Sequence, residues 1–263
     1  MSPNVSFIEG EHGINGDNSV CFKYANKIPN ADGNTPMVSV VYRNFSWAEH
    51  MGRSHTYMYN DGSFVAYLYK GVKDISTLIH EVGGHGFGQL KDEYVEPGNE
   101  SLTLPKDRRD NMDNQWNNYG IGANVDWRND KATVKWSHFL NDSRYANEGI
   151  GLYEGAYLYG HGAYRPTENS MMRYNDSPFN APSREQIYKR IMQLSEGENW
   201  KYDYEEFVKF DAKNRNAASR SAFKPLTETE RQEYIKNHRP TTIIKGTWHD
   251  AMKGKDNIVV PFR

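Results

Sequence analysis

The sequence predicts an α/β fold: a small mixed, twisted sheet with a helix docked on it, then an irregular C-terminal subdomain with one long helix. Three observations carry this. Two β-rich runs flank Asn60-Asp61-Gly62. A helical pattern follows them and holds His80-Glu81-Val82-Gly83-Gly84-His85. A second amphipathic helix opens near Ser183, beyond a polar, glycine-rich stretch.

Residues 1–36 are rich in Gly, Asn and Asp, and Cys21–Lys27 reads as a short helix. Met37-Val38-Ser39-Val40-Val41-Tyr42 has the β-branched content of a strand. Thr56–Tyr59 and Phe64–Tyr69 read as a hairpin, because Asp-Gly is a strong hairpin-turn signal. The 64–69 strand is the expected sheet edge, open to a substrate added as a further strand. Asp74 or Ser76 caps the next helix, whose apolar residues are Ile75, Leu78, Ile79 and Val82.

Residues 95–148 are polar, with Trp116, Trp127 and Trp136 scattered through them, and read as loops with short elements. Gly149, Gly151, Gly155, Gly160 and Gly162 then interleave with Tyr153, Tyr157, Tyr159 and Tyr164. That pattern fits an irregular loop with aromatic packing, or the wall of a cleft. Ser183-Arg184-Glu185-Gln186 has the form of a capping box. Ile187, Ile191 and Leu194 continue at helical spacing until Gly197. Tyr202–Phe210 reads as a short helix, and Thr227-x-x-Glu230 opens another through Lys236.

Composition narrows the function. With 263 residues, 37% hydrophobic and 25% charged, the chain has enough apolar material for a folded domain. A net charge of −2 gives no electrostatic case for nucleic acid or an anionic membrane. The single cysteine, Cys21, excludes an internal disulfide and a thiolate zinc site. No apolar run approaches the roughly 20 residues of a transmembrane segment. Met1-Ser2-Pro3-Asn4-Val5 has neither a basic nor an apolar leader region, so the chain itself gives no location.

The chemistry centres on His80-Glu81-x-x-x-His85. In His-Glu-x-x-His, two histidines four apart share a helix face and a zinc ion, and the Glu is the general base. Here the histidines are five apart. On an α-helix that spacing turns them roughly 140° from each other, against roughly 40° for four. One i→i+5 turn realigns them, and such π-bulges gather at functional sites. Gly83 and Gly84 stand where the bulge is expected. Each costs about 1 kcal/mol in a helix interior relative to Ala, so a reason for them is expected. A helix can also carry two histidines and a glutamate with no chemistry attached, and the downstream sequence decides the matter.

Gly88 stands three residues past His85, and Lys91, Asp92 and Glu93 stand six to eight past it. Ser170-Met171-Met172-Arg173-Tyr174 has the form Ser-x-Met-x-Tyr. Together with Gly84-His85-Gly86-Phe87-Gly88, Asp92-Glu93-Tyr94, Tyr153-Glu154-Gly155-Ala156, Tyr164-Arg165-Pro166-Thr167 and Phe179-Asn180-Ala181-Pro182-Ser183, these motifs resemble the IgA peptidase family (igalysins) of metzincin-like zinc metallopeptidases. The resemblance covers roughly residues 37–196. Dipeptidyl peptidase III shares the His-Glu-x-x-Gly-His form, but its third ligand is a Glu on a separate helix, and no matching acidic motif occurs here.

The resemblance implies a metzincin-like zincin fold and one catalytic zinc ion. His80, His85 and an acid of the Asp92-Glu93 pair are the implied ligands; the shorter Asp92, nearer the required position, is taken before Glu93, which is then expected to accept from a ligand histidine ring. Glu81 is the implied general base, Met172 the floor beneath the metal and Tyr174 a stabiliser of the oxyanion. Residues 1–196 then form the catalytic domain and 197–263 an extension packed on it. The family's first catalytic strand and helix are expected to be missing ahead of Met1. The implied function is endopeptidase action on a protein or peptide substrate, secreted glycoproteins among the candidates, by a secreted or cell-envelope protein. The alternative is a binding or surface-adhesion protein on a degenerate protease fold, for which the Tyr and Trp content is suited.

Overall fold

The computed structural model describes residues 5–8, 13–29, 35–41, 54–68, 75–215, 225–237, 239–254 and 257–258. Asp74, Tyr42 and Tyr69, named above for a cap and two strand ends, lie outside them. The chain divides into two units, residues 1–87 with 236–263, and residues 88–235.

In the first unit, β1 (Val5–Ile8) and β2 (Gly13–Gly16) form an antiparallel pair. Helix α1 (Asn18–Ala25) starts where the Asp17 carboxylate accepts from the amides of Ser19 and Val20. The main sheet has the order β3 (Met37–Val41), β5 (Phe64–Leu68), β4 (His55–Tyr59), β8 (Thr242–Lys245), β9 (Asn257–Ile258). Its pairings are in turn parallel, antiparallel, parallel and antiparallel, so the sheet is mixed, with an antiparallel edge strand at β9. The β4–β5 hairpin forms as expected, with Gly62 in the left-handed region at φ 82°.

The 64–69 strand is not the edge. β5 lies between β3 and β4, and all five of its residues are buried. The physical reason is legible in the run itself. Phe64-Val65-Ala66-Tyr67-Leu68 is continuously apolar, which suits a strand covered on both faces. β3 alternates between exposed and half-buried residues and takes the edge.

Cys21, Phe22, Tyr59, Val65, Tyr67, Ile244 and Trp248 form this unit's core, with Trp248 from α9 (Trp248–Met252). Buried tyrosines of this core are tied to Asn18. Tyr67 donates to Asn18 Oδ1 at 2.7 Å, and Asn18 Nδ2 donates to Tyr59 Oη at 3.0 Å. Helix α2 (Ile75–Leu78) runs into a π-helix (Ile79–Phe87) that packs on β4 and β5.

In the second unit, α3 (Lys106–Tyr119) fills a stretch expected to be mostly loop. Its sequence, Lys-Asp-Arg-Arg-Asp-Asn-Met-Asp-Asn-Gln-Trp-Asn-Asn-Tyr, has too few apolar residues for a clear periodic signal, and Gly120 at φ 68° ends it. Short α4 (Ser137–Leu140) and a 3-10 turn (Ser143–Glu148) follow. The glycine–tyrosine stretch is no irregular loop but an antiparallel pair, β6 (Tyr153–Ala156) and β7 (Tyr159–Arg165), bulged between Glu154 and Ala156.

One turn, α5 (Met171–Tyr174), precedes the long helix α6 (Ala181–Glu196). α6 opens three residues before the expected capping box: Asn180 is the N-cap, accepting from the Ser183 amide, and Pro182 sits in the first turn. α7 (Tyr204–Asp211) and α8 (Glu228–Asn237) complete the unit, the latter with the expected Thr227–Glu230 box. Val134, Trp136, Phe139, Tyr145, Tyr188, Phe207 and Val208 form its core. No helix among the described residues is long and apolar enough to cross a membrane.

Candidate metal centre

The wider winding expected at two glycines extends over nine residues, Ile79–Phe87. In i→i+5 bonding, residues five apart stand on one face, as residues four apart do in an α-helix. The outcome is direct: His80 Nε2 and His85 Nε2 are 2.9 Å apart. Both rings and Glu81 are fully buried. A close approach to the sheet seats the helix. A Cβ on Gly86 would stand 2.6 Å from the Phe64 ring of β5, so only glycine fits there.

After Phe87 the chain turns back. Gln89 adopts the left-handed region at φ 52°, a conformation that a glycine such as its neighbour Gly88 would take more easily. Leu90 and Lys91 turn into the interior, both fully buried. Asp92 follows, 2% exposed. His80, His85 and Asp92 each offer a ligand atom, and these atoms lie within 4.8 Å of one another. Such a group can hold a metal ion.

The donor chemistry fits a divalent ion that takes nitrogen and oxygen.

Glu81 is held from β4. The Thr56 hydroxyl, itself fully buried, stands 2.7 Å from Glu81 Oε2 and 2.9 Å from the Glu81 carbonyl oxygen. Nothing in the sequence distinguished Thr56 from any β-branched strand residue.

Glu93 is a hub, but not for a histidine. Its Oε1 accepts from Asn124 Nδ2 at 2.8 Å and Asn180 Nδ2 at 3.0 Å, and its Oε2 accepts from Ser170 Oγ at 2.6 Å. Its amide donates to the Met172 carbonyl at 2.8 Å. Burial pushes the Glu93 carboxyl above its usual range, and the bonds from Ser170, Asn124 and Asn180 draw it partly back. Glu93 thus ties the segment after the π-helix to the Ser170–Tyr174 turn. Ser170 caps that turn by accepting from the Met172 amide, and Met171 and Met172 are both buried. Tyr174 ends it, its ring flanked by the guanidinium carbons of Arg173 at 4.5 Å and Arg231 at 5.1 Å.

Lys91, six residues past His85, has a different task. Its Nζ donates to Gln115 Oε1 and lies 4.3 Å from the centre of the Tyr157 ring. Burial pulls its ammonium well below the usual lysine range. Tyr157 and Leu158 both adopt positive φ, 49° and 73°. Their amides donate to the carbonyls of Asp92 and Tyr94. Left-handed residues other than glycine are uncommon and gather at functional sites. Among the described residues they are Gln89, Tyr157, Leu158 and Asn175. Gln89 lies three residues before Asp92, Tyr157 bonds to the Asp92 carbonyl and Leu158 to that of Tyr94, and Asn175 directly follows the Met172 turn.

No protein-family model matches this chain, and comparison with curated proteins finds none similar to it.

Proposed function

We propose that this chain is a zinc-dependent endopeptidase with a metzincin-like fold, of the IgA peptidase type that its motifs resemble. One observation carries the reading: His80, His85 and Asp92 are buried together, with Glu81 beside the first histidine and clamped by Thr56. A mixed sheet with the histidine helix packed on β4 and β5 supports the fold assignment.

His80, His85 and Asp92 are the residues that would hold the ion. Zinc, when bound, supplies a Lewis acid for the scissile carbonyl and a water of lowered pKa. Glu81 takes the proton of the attacking water on its carboxylate and passes it to the leaving amine. Thr56 fixes the orientation of that carboxylate. Tyr174 donates its phenol hydroxyl to the oxyanion. The substrate is a protein or peptide, and the family resemblance supports a location outside the cell or at its envelope.

The test pairs elemental analysis of the purified protein with turnover of a quenched peptide pool. The reading expects about one zinc per chain and internal cleavage of peptides. Iron in place of zinc would sink it, since two histidines and a carboxylate also suit non-haem iron. Metal-free protein without turnover would favour the binding or adhesion protein on a degenerate protease fold.

A further inference from the structure

The side chain of Asn124 grips the chain on both sides of Asp92. Its Oδ1 accepts from the Lys91 amide at 3.0 Å, and its Nδ2 donates to the Lys91 carbonyl at 2.8 Å. One side-chain amide thereby takes the place of a neighbouring strand for residue 91. The same Nδ2 donates to Glu93 Oε1 at 2.8 Å. Residue 92 sits between the two grips, and its own carbonyl accepts from Tyr157 at 3.1 Å.

The clasp is itself anchored. Asn124 is fully buried, as are Ile121, Val125 and Asp126. Asp126 exchanges backbone bonds with Tyr164 of β7, at 3.0 and 2.7 Å. Gly122 accepts the close approach of the Lys91 side chain, whose Cδ would stand 2.8 Å from a Cβ there. Nothing in this arrangement is built for catalysis, and its cost is real: Lys91, Asn124 and Glu93 are polar groups taken entirely out of water.

We infer that Asn124 is a positioning residue for the metal centre: it fixes the backbone around Asp92, and so the direction of the Asp92 carboxylate and the affinity of the site. This rests on the metal-site reading above. Outer partners of metal ligands typically set affinity by 10–100-fold.

The experiment measures Zn2+ affinity of the full-length chain by competition with a chromophoric chelator, and records the d–d spectrum of the Co2+-loaded protein. Asn124→Asp keeps the size and the bond from the Lys91 amide, but loses both donated bonds. It should weaken Zn2+ binding about 10–100-fold and alter the Co2+ spectrum. In an Asp92→Ala background the same change should cost no further affinity, because the carboxylate it orients is gone. Equal losses in both backgrounds would overturn the inference, as would unchanged binding. Tighter binding, which the added negative charge alone would give, would overturn it too. Asn124→Ser, smaller and neutral, is read by the same criteria if Asn124→Asp does not fold. In the unaltered protein, Zn2+ should slow amide hydrogen exchange in residues 121–126 together with 89–93, and an unresponsive 121–126 loop would count against the clasp. A wild-type chain that binds no Zn2+ would instead remove the metal-site reading on which the clasp depends.

Discussion

The Thr56 hydroxyl lies within hydrogen-bond reach of both the carboxylate and the backbone carbonyl of Glu81, at 2.7 and 2.9 Å. The hydroxyl has one hydrogen to share between the two acceptors, so one side chain on β4 bears on both the seat of the π-helix on the sheet and the aim of the proposed base. A hydrogen bond to a charged group is worth about 1.5–3 kcal/mol. Thr56→Val keeps the shape and deletes the hydroxyl. It should lower kcat about 10–100-fold with zinc content unchanged. Thr56→Ser should restore most of the loss. Steady-state kinetics with metal analysis checks this, and a Thr56→Val enzyme of normal kcat would mean that Glu81 orients itself.

Glu81→Gln separates base from ligand. Glu81 is outside the group formed by His80, His85 and Asp92. The variant should keep its zinc and lose about 10²–10⁴ in turnover. Loss of zinc would show that Glu81 is itself a ligand, and that the working pair is Glu81 and His85 at four-residue spacing.

The π-helix makes the five-residue spacing a matter of winding. Deleting Gly84 should let the segment return to α-helical bonding with its histidines four apart, and still bind zinc. Inserting a residue at the same point should turn His85 away and abolish binding. Zinc measured in both purified variants decides the matter, and the opposite pattern would rule out realignment by π-winding.

Much of this was legible because the relevant signals are local. The spacing of His80 and His85 implies either misalignment or an i→i+5 turn, and two adjacent glycines favour the turn. The hairpin around Asp61-Gly62 and the stop at Gly197 rest on backbone conformations that few residues adopt easily. What stayed hidden depends on long-range partners. Thr56 meets Glu81 across 25 residues, and Asn180 meets Glu93 across 87. A threonine in a strand, or an asparagine in a polar stretch, gives no sign of the partner that tertiary packing brings. The central position of β5 departs from the expected edge, although its continuous apolar run points inward. Helix α3 gives no periodic signal because it is nearly all polar, with only Met112 and Gln115 buried.

The Ser170–Tyr174 turn singles out Met172 by its frame, yet Met171 is buried just as deeply. Burial therefore does not separate the two methionines, and either change to Ala should destabilise by about 2–5 kcal/mol. The separation belongs in metal affinity. Met172 also receives the Glu93 amide on its carbonyl, one residue beyond Asp92. Met172→Ala keeps that carbonyl, but the cavity it leaves should loosen the turn that presents it and so weaken zinc binding, whereas Met171→Ala should leave affinity unchanged once folded. Calorimetric unfolding and zinc competition, run on both variants, test the pair. Equal affinity losses would deny Met172 its special place.

Asp92 and Glu93 are neighbours in sequence with opposite environments. Asp92 joins His80 and His85 in the ligand group, while Glu93 turns to Asn124, Ser170 and Asn180. Removing each should therefore fail in a different way. Asp92→Ala deletes a ligand atom. It should weaken zinc binding by more than about 10²-fold, beyond the 10–100-fold typical of a supporting residue, while the metal-free protein unfolds at nearly its normal temperature. Glu93→Ala deletes the acceptor of three buried donors. Leaving each unsatisfied costs about 1–3 kcal/mol, so the metal-free fold should lose about 3 kcal/mol or more. Its zinc affinity should fall less than that of Asp92→Ala, and only because the backbone around Asp92 has lost an anchor. Thermal unfolding without metal and zinc competition on the two variants together give a crossed pattern, each variant the worse in one measurement. If Glu93→Ala proves worse in both, the third ligand is Glu93, and the grouping of His80, His85 and Asp92 is not the one that binds.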